Sequence, residues 1–209
     1  MASGLFELAE KIRGILAAKA QPVVEETSPS LSPEEYIQLH RQKQNDIIKR
    51  ETLERMMRDI EKSGFFKKEK LPYLAKIITR VGGYNNDPFS YEDCLFYEEK
   101  EALKIDTDHK VSREMVECMT EKGLRQKDPH NIVPVIYYMN YFAVGRKYKL
   151  LELKGRGVKA VEIVNAGGEL DCRAIEKYKG VFPIDKVPVL PAPRCDAVYC
   201  RCDYAAHDL

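Results

Sequence analysis

Cys172, Cys195, Cys200 and Cys202 are spaced Cys172-x22-Cys195, Cys195-x4-Cys200 and Cys200-x-Cys202. If residues 173–194 make one excursion and return, four thiolates meet, which suits tetrahedral zinc. A closed four-sulfur shell leaves no open position for substrate, so the expected site is structural: binding of Zn supplies folding free energy and no catalysis. The stretch also carries Pro183, Pro188, Pro191 and Pro193 and almost no helical periodicity. It can bury little apolar surface, and a metal or covalent staple is the expected remedy. Three other readings stand beside this one: disulfides, unrelated buried thiols, and a shell completed by His207 or Asp171. Glu7, Glu10, Lys11 and Arg13 interrupt the apolar residues of the N-terminus, so no signal peptide is expected. That favours a cytoplasmic chain with reduced thiols. Cys94 and Cys118 fall in helical patterns and read as small core residues.

A second group is basic. Arg146, Lys147, Lys149, Lys154, Arg156 and Lys159 face a single acid, Glu152, on what alternation around Gly155-Arg156-Gly157 predicts to be a β-hairpin of residues 147–154 and 158–164. Such a hairpin could contact phosphates, hence a nucleic-acid-binding adaptor, but strands commonly place lysines on a solvated edge, and that is the leading reading here. Glu152-Leu153-Lys154 on a strand also has the acidic-x-Lys form of metal-dependent nucleases, with Asp128 as the nearest second carboxylate. His40, His109, His130 and His207 are scattered singly, and the chain has no Gly-rich phosphate loop, HExxH or GxSxG.

The run Gly157-Val158-Lys159-Ala160-Val161-Glu162-Ile163-Val164, with Asn165-Ala166-Gly167-Gly168, Asp171-Cys172, Gly180-Val181-Phe182-Pro183-Ile184-Asp185, Pro188-Val189-Leu190-Pro191 and Cys200-Arg201-Cys202, resembles the C-terminal end of phage minor head, or head-morphogenesis, proteins related to the F protein of phage Mu. It is also similar to short bacterial proteins ending in a comparable cysteine block. The resemblance covers about residues 155–204. It implies a strand leading to a first cysteine, a G-x-F-P turn and a Pro-rich segment delivering the closing C-R-C. Two positions depart from that pattern. Ile175 stands where the family carries a second cysteine, and Arg194-Cys195-Asp196 replaces the usual His-Pro, so that Cys195 restores the ligand count. The resemblance implies a small metal-stabilised module and, as setting, a phage or prophage particle, with the virion as an alternative location to the cytoplasm.

The elements that must position these residues are mainly helical. With 44% hydrophobic and 32% charged residues the 209-residue chain is globular, and its net charge of +1 gives no global attraction to nucleic acid or membrane. No apolar run is long enough to span a membrane. Leu5, Leu8, Ala9, Ile12, Ile15 and Leu16 form one stripe of a short amphipathic helix (residues 1–20), suited to folding back on its own domain, to a protein partner or self-association, or to a membrane surface, and residues 21–32 read as a linker. Ser32-Pro33-Glu34-Glu35 is a helix start with a capping box. The helix should run to about residue 62 and stop at Gly64, with Leu53, Met56, Met57 and Ile60 packed and residues 40–46 solvated. Further helices are expected over residues 71–81, 90–103 and 112–121, the last stopped by Gly123. The apolar run 132–139 is expected to be a buried helix beginning near Pro134. The resulting fold class is α+β: a mainly helical body (33–145), then a β-hairpin and a small zinc-stabilised module (146–209). Function is expected to be non-enzymatic, structural or interaction-based, with the adaptor and nuclease as alternatives.

Overall fold

The computed structural model describes residues 32–80, 88–89, 92–105, 108, 110–165 and 173–207. The expected amphipathic helix and linker, Cys172, Asp171 and His109 lie outside them. The chain divides into two compact units, Met1–Gln44 and Asn45–Leu209. In the first, the capping box forms as expected: Glu35 N–H donates to Ser32 Oγ at 3.3 Å, and Ser32 N–H to Glu35 Oε2 at 2.8 Å. It opens α1 (Pro33–Ser63). The helix ends where expected, at Gly64, whose φ of 67° suits the left-handed position after a helix.

The second unit is α+β: a helical body followed by a small antiparallel sheet. Beyond α1 it contains α2 (Leu71–Arg80), α3 (Tyr97–Ala102), α4 (Arg113–Cys118), α5 (Glu121–Leu124) and α6 (Ile132–Gly155), then β1 (Ala160–Val164), β2 (Val181–Pro183) and β3 (Asp203–His207). Met56, Met57 and Ile60 of α1, Leu74 and Ile78 of α2, Met115 and Met119, and Val133 and Tyr137 of α6 share one apolar core. Two contacts tie α1 to α6 beside it. Asn140 Nδ2 donates to Asp59 Oδ2 at 2.9 Å, and Lys147 Nζ to both oxygens of Glu51.

Several local expectations need correction. Helix α3 begins at Tyr97, not at residue 90, and Cys94 sits in an isolated antiparallel bridge with Ser112. Ser112 does cap α4, its Oγ accepting the Met115 N–H at 3.1 Å. That helix ends at Cys118, however, because Thr120 starts α5 with its own cap on Gly123 N–H. Gly123 is therefore no stop. It lies inside α5 because a Cβ there would overlap the carbonyl of Phe65.

The largest correction concerns residues 147–154, which are not a hairpin arm but the last turns of α6. Lys, Leu and Glu are good helix formers, and Arg146, Leu150 and Leu153 recur at i, i+4, i+7 on the face that meets the sheet. Gly155-Arg156-Gly157 is the helix C-terminus. Gly157, at φ 81°, donates its N–H to Lys154 O, and Val158 N–H to Leu153 O. These are the paired bonds of a Schellman cap, and Val158 packs against the cluster of Leu153, Val161 and Ile184. The antiparallel partners of β1 are β2 and β3, in the order β2-β1-β3, with Val161 opposite Phe182 and Ala206, and Ile163 opposite Tyr204.

Candidate metal centre

The module's small core is built from β1, β3 and the proline-rich segment between them. Ile163, Ile175, Leu190, Ala192, Cys200, Cys202 and Tyr204 are buried together, and Cys195, Leu150 and Phe182 pack against them. The C-terminal cysteines thus lie near one another. Cys200 is 6% and Cys202 3% exposed, and Cys195 is half-buried. Ile175 fills the same core at 2% exposure. None of Cys94, Cys118, Cys195, Cys200 and Cys202 forms a disulfide.

Three side chains of α6, Arg146, Tyr138 and Phe142, hold the chain at Tyr199 to Cys202. Arg146, buried at 5% exposure, donates from Nη1 to the carbonyls of both Cys200 and Cys202 at 3.0 Å. Tyr199 stacks on Tyr138, with centroids 4.9 Å apart, and on Phe142 at 6.0 Å. Such ring pairs contribute about 0.5–1.5 kcal/mol each beyond their burial. From the other side, Tyr204 pins the proline-rich segment. Its hydroxyl accepts the Leu190 N–H at 3.1 Å and donates to Pro188 O at 2.8 Å. Burial foremost pushes the Tyr204 phenol pKa up.

Two of these thiols are sealed in an apolar core with their backbone fixed, the setting of inert and not of reactive cysteines. Among the described residues, no group of three or more His, Cys, Asp and Glu is arranged to hold a metal ion. Cys172, the remaining expected ligand, lies outside them. His207 pairs with Ala160 at the end of β3.

The basic residues are placed differently from a hairpin's solvent face. Arg146 is buried under the cysteine loop. Lys147 pairs with Glu51, Lys149 with Asp203 at 2.6 Å, Lys154 with Asp185 at 2.6 Å, and Arg156 with Glu152 at 3.8 Å. Lys159 is exposed. Lys154 holds the Asp185 carboxyl below its usual range through their hydrogen bond. Glu152 and Lys154 lie on a helix, not a strand, so at i, i+2 they point to different sides. Asp128 caps the short 3-10 turn Pro129–Asn131 by accepting Asn131 N–H.

Arg146, Tyr199 and Tyr204 carry structural roles that the residue pattern alone did not assign. The signal for Arg146 was its helical register with Leu150 and Leu153, which a strand reading hides. Among the described residues no helix is long and apolar enough to cross a membrane. No family model, curated protein or solved structure matches this chain.

Proposed function

We propose that this chain is a non-enzymatic structural or interaction protein whose C-terminal end is a zinc-stabilised module, with Cys172, Cys195, Cys200 and Cys202 as ligands. The observation that carries this reading is the pairing of burial and restraint at the cysteine loop. Cys200 and Cys202 are buried in the module's core, and one guanidinium holds both of their carbonyls. A sealed loop of this kind supports a structural site, because a catalytic metal needs an open position. The helical body then serves as the surface for partners, joined by the amphipathic stripe Leu5 to Leu16. The resemblance of residues 155–204 to phage minor head proteins supports a particle-associated role.

The test is metal content of the purified, reduced protein, with thiol alkylation before and after chelation. One zinc per chain, with four thiols becoming reactive only on chelation, is the expected result. No bound metal, whether the thiols react at once or only after reductant, overturns the reading.

A further inference from the structure

An open cavity of about 240 Å³ lies between α1, α6 and β3, and every residue lining it belongs to the unit Asn45–Leu209. Arg146 reaches it from α6 with part of its guanidinium unused. Nη1 donates to the carbonyls of Cys200 and Cys202 at 3.0 Å, whereas Nε is buried without a hydrogen-bond partner and Nη2 makes no hydrogen bond among the described residues. None of their carboxylates pairs with it. Asp203, on the same cavity, gives Oδ2 to Lys149 at 2.6 Å and Oδ1 to the Tyr204 N–H at 2.9 Å. A buried cation faced only by backbone dipoles is costly. Arg146 is buried yet lines this cavity, so the cavity is a route by which a counter-ion reaches it.

Ile48, Tyr141 and Phe142 supply an apolar wall. Phe142 is held by stacking on Tyr138 and Tyr199, and Tyr141 by stacking on Tyr137, so the wall is formed before anything binds. Gly145 keeps the space beside it open, since no atom lies within 4 Å of a Cβ placed there. Lys49 adds a second cation, in a loose pair with Asp46 at 3.7 Å. The charged lining is thus Arg146 and Lys49 against Asp203, a balance that suits one added negative charge and opposes two. We infer that this cavity binds a small aromatic monocarboxylate. Its carboxylate takes the free edge of the Arg146 guanidinium, the pairing that planar, charge-assisted hydrogen bonds favour, and its ring lies against Ile48, Tyr141 and Phe142. The cavity is smaller than the roughly 300–1,000 Å³ of drug-sized sites, so the ligand is small. This binding function goes beyond the structural reading above and depends on no metal.

The experiment titrates the full chain with benzoate, benzamide and inorganic phosphate at constant ionic strength, following backbone amide resonances by NMR. Benzoate carries both charge and ring, benzamide keeps the shape without the charge, and phosphate keeps charge without the ring. Saturable shifts centred on Ile48, Gly145 and Asp203 are expected with benzoate. Benzamide should bind about ten- to a hundredfold more weakly, the worth of a charge-assisted hydrogen bond, and phosphate should also bind more weakly than benzoate. No saturable shift with benzoate, or shifts centred elsewhere, overturns the inference. Equal affinity for benzoate and benzamide overturns it too, because the guanidinium then recognises nothing, and phosphate binding as tight as benzoate overturns the monocarboxylate assignment. A variant then locates the site. Gly145→Leu places a side chain in the cavity and leaves the Arg146 bonds to Cys200 and Cys202 alone, and Leu is a better helix former than Gly. It is expected to fold and to lose benzoate binding; a folded Gly145→Leu that binds benzoate as the natural protein does overturns the inference. Should that variant not fold, the benzoate-to-benzamide ratio and the position of the shifts in the natural protein decide.

Discussion

Tyr204 and Leu190 are joined by a hydrogen bond in which the phenol oxygen accepts the Leu190 N–H at 3.1 Å, and the same hydroxyl donates to Pro188 O at 2.8 Å. A proline-rich segment has few backbone donors with which to fix itself, so a side chain from β3 does the fixing. Tyr204→Phe keeps the ring in the core and removes both bonds, leaving the Leu190 N–H buried without that partner. The expected loss is about 1–3 kcal/mol, the cost of an unsatisfied buried donor. It should appear in urea as a lower midpoint with an unchanged slope. A midpoint equal to that of the natural protein would show that the bond contributes nothing.

Gly145 and Gly157 predict opposite responses to one substitution. Neither position has an atom within 4 Å of an added Cβ, so backbone conformation alone decides. Gly145 lies inside α6, where Ala is favoured over Gly by about 1 kcal/mol. Gly157, at φ 81°, occupies the left-handed position of the Schellman cap, where an L side chain costs about 1 kcal/mol. Gly145→Ala should therefore raise the melting temperature and Gly157→Ala lower it. Shifts of the same sign would refute the assignment of the cap.

That cap also shows where the sequence was legible and where it misled. Ser32 and Glu35 announced the start of α1 because a capping box is local chemistry, and Gly64 its end for the same reason. Met56, Met57 and Ile60 were legible as core because a helical stripe faces one way. Residues 147–154 were not, because Lys147-Tyr148-Lys149-Leu150 alternates polar and less polar residues as a strand does, while Leu150 and Leu153 also fit a helix. Two glycines read equally as a hairpin turn or a helix cap. Only packing of Arg146, Leu150 and Leu153 under β1 and β3 settles it, and those contacts are far apart in sequence. The burial of Cys200 and Cys202 was implied by their clustering; the guanidinium that holds them was not, because a basic residue among other basic residues reads as solvated.

Glu51 and Lys147 give a pH prediction. Burial pushes the Glu51 carboxyl pKa up, but hydrogen bonds from Lys147 and Tyr148 and the charges of Lys147 and Arg55 outweigh it and hold the group below its usual value. A carboxyl depressed in the folded state binds its proton more readily when unfolded. Its stabilisation is therefore complete above the ordinary carboxylate range and is lost as pH falls through the lowered folded value. Lys147 is 47% exposed and Glu51 19%, so solvent screening limits the effect to about 1 kcal/mol or less. Glu51→Gln should be less stable than the natural protein at neutral pH, with the gap narrowing in acid. Urea unfolding at both values checks this, and a gap that does not change with pH would exclude the ionised pair as its source.

Metal removal should loosen one part of this molecule and spare another. The body's core runs from Met56 to Tyr137, whereas Ile163, Ile175, Leu190, Ala192, Cys200, Cys202 and Tyr204 form a separate cluster. The module's cluster is small, and on the zinc reading much of its folding free energy comes from the metal. Chelation should then cut hydrogen-exchange protection of β1 and β3 amides by on the order of a hundredfold or more, because the module opens as its own unit. Amides of α2 and of α1 around Met56 should keep theirs, since none of their core partners lies in the module. The C-terminal turns of α6 should respond in between: Arg146 and Leu150 face the module, while Tyr137, two turns earlier, belongs to the body's core. Protection lost equally throughout would mean that the two clusters fold as one, and protection unchanged in β1 and β3 would mean that no metal supports the sheet.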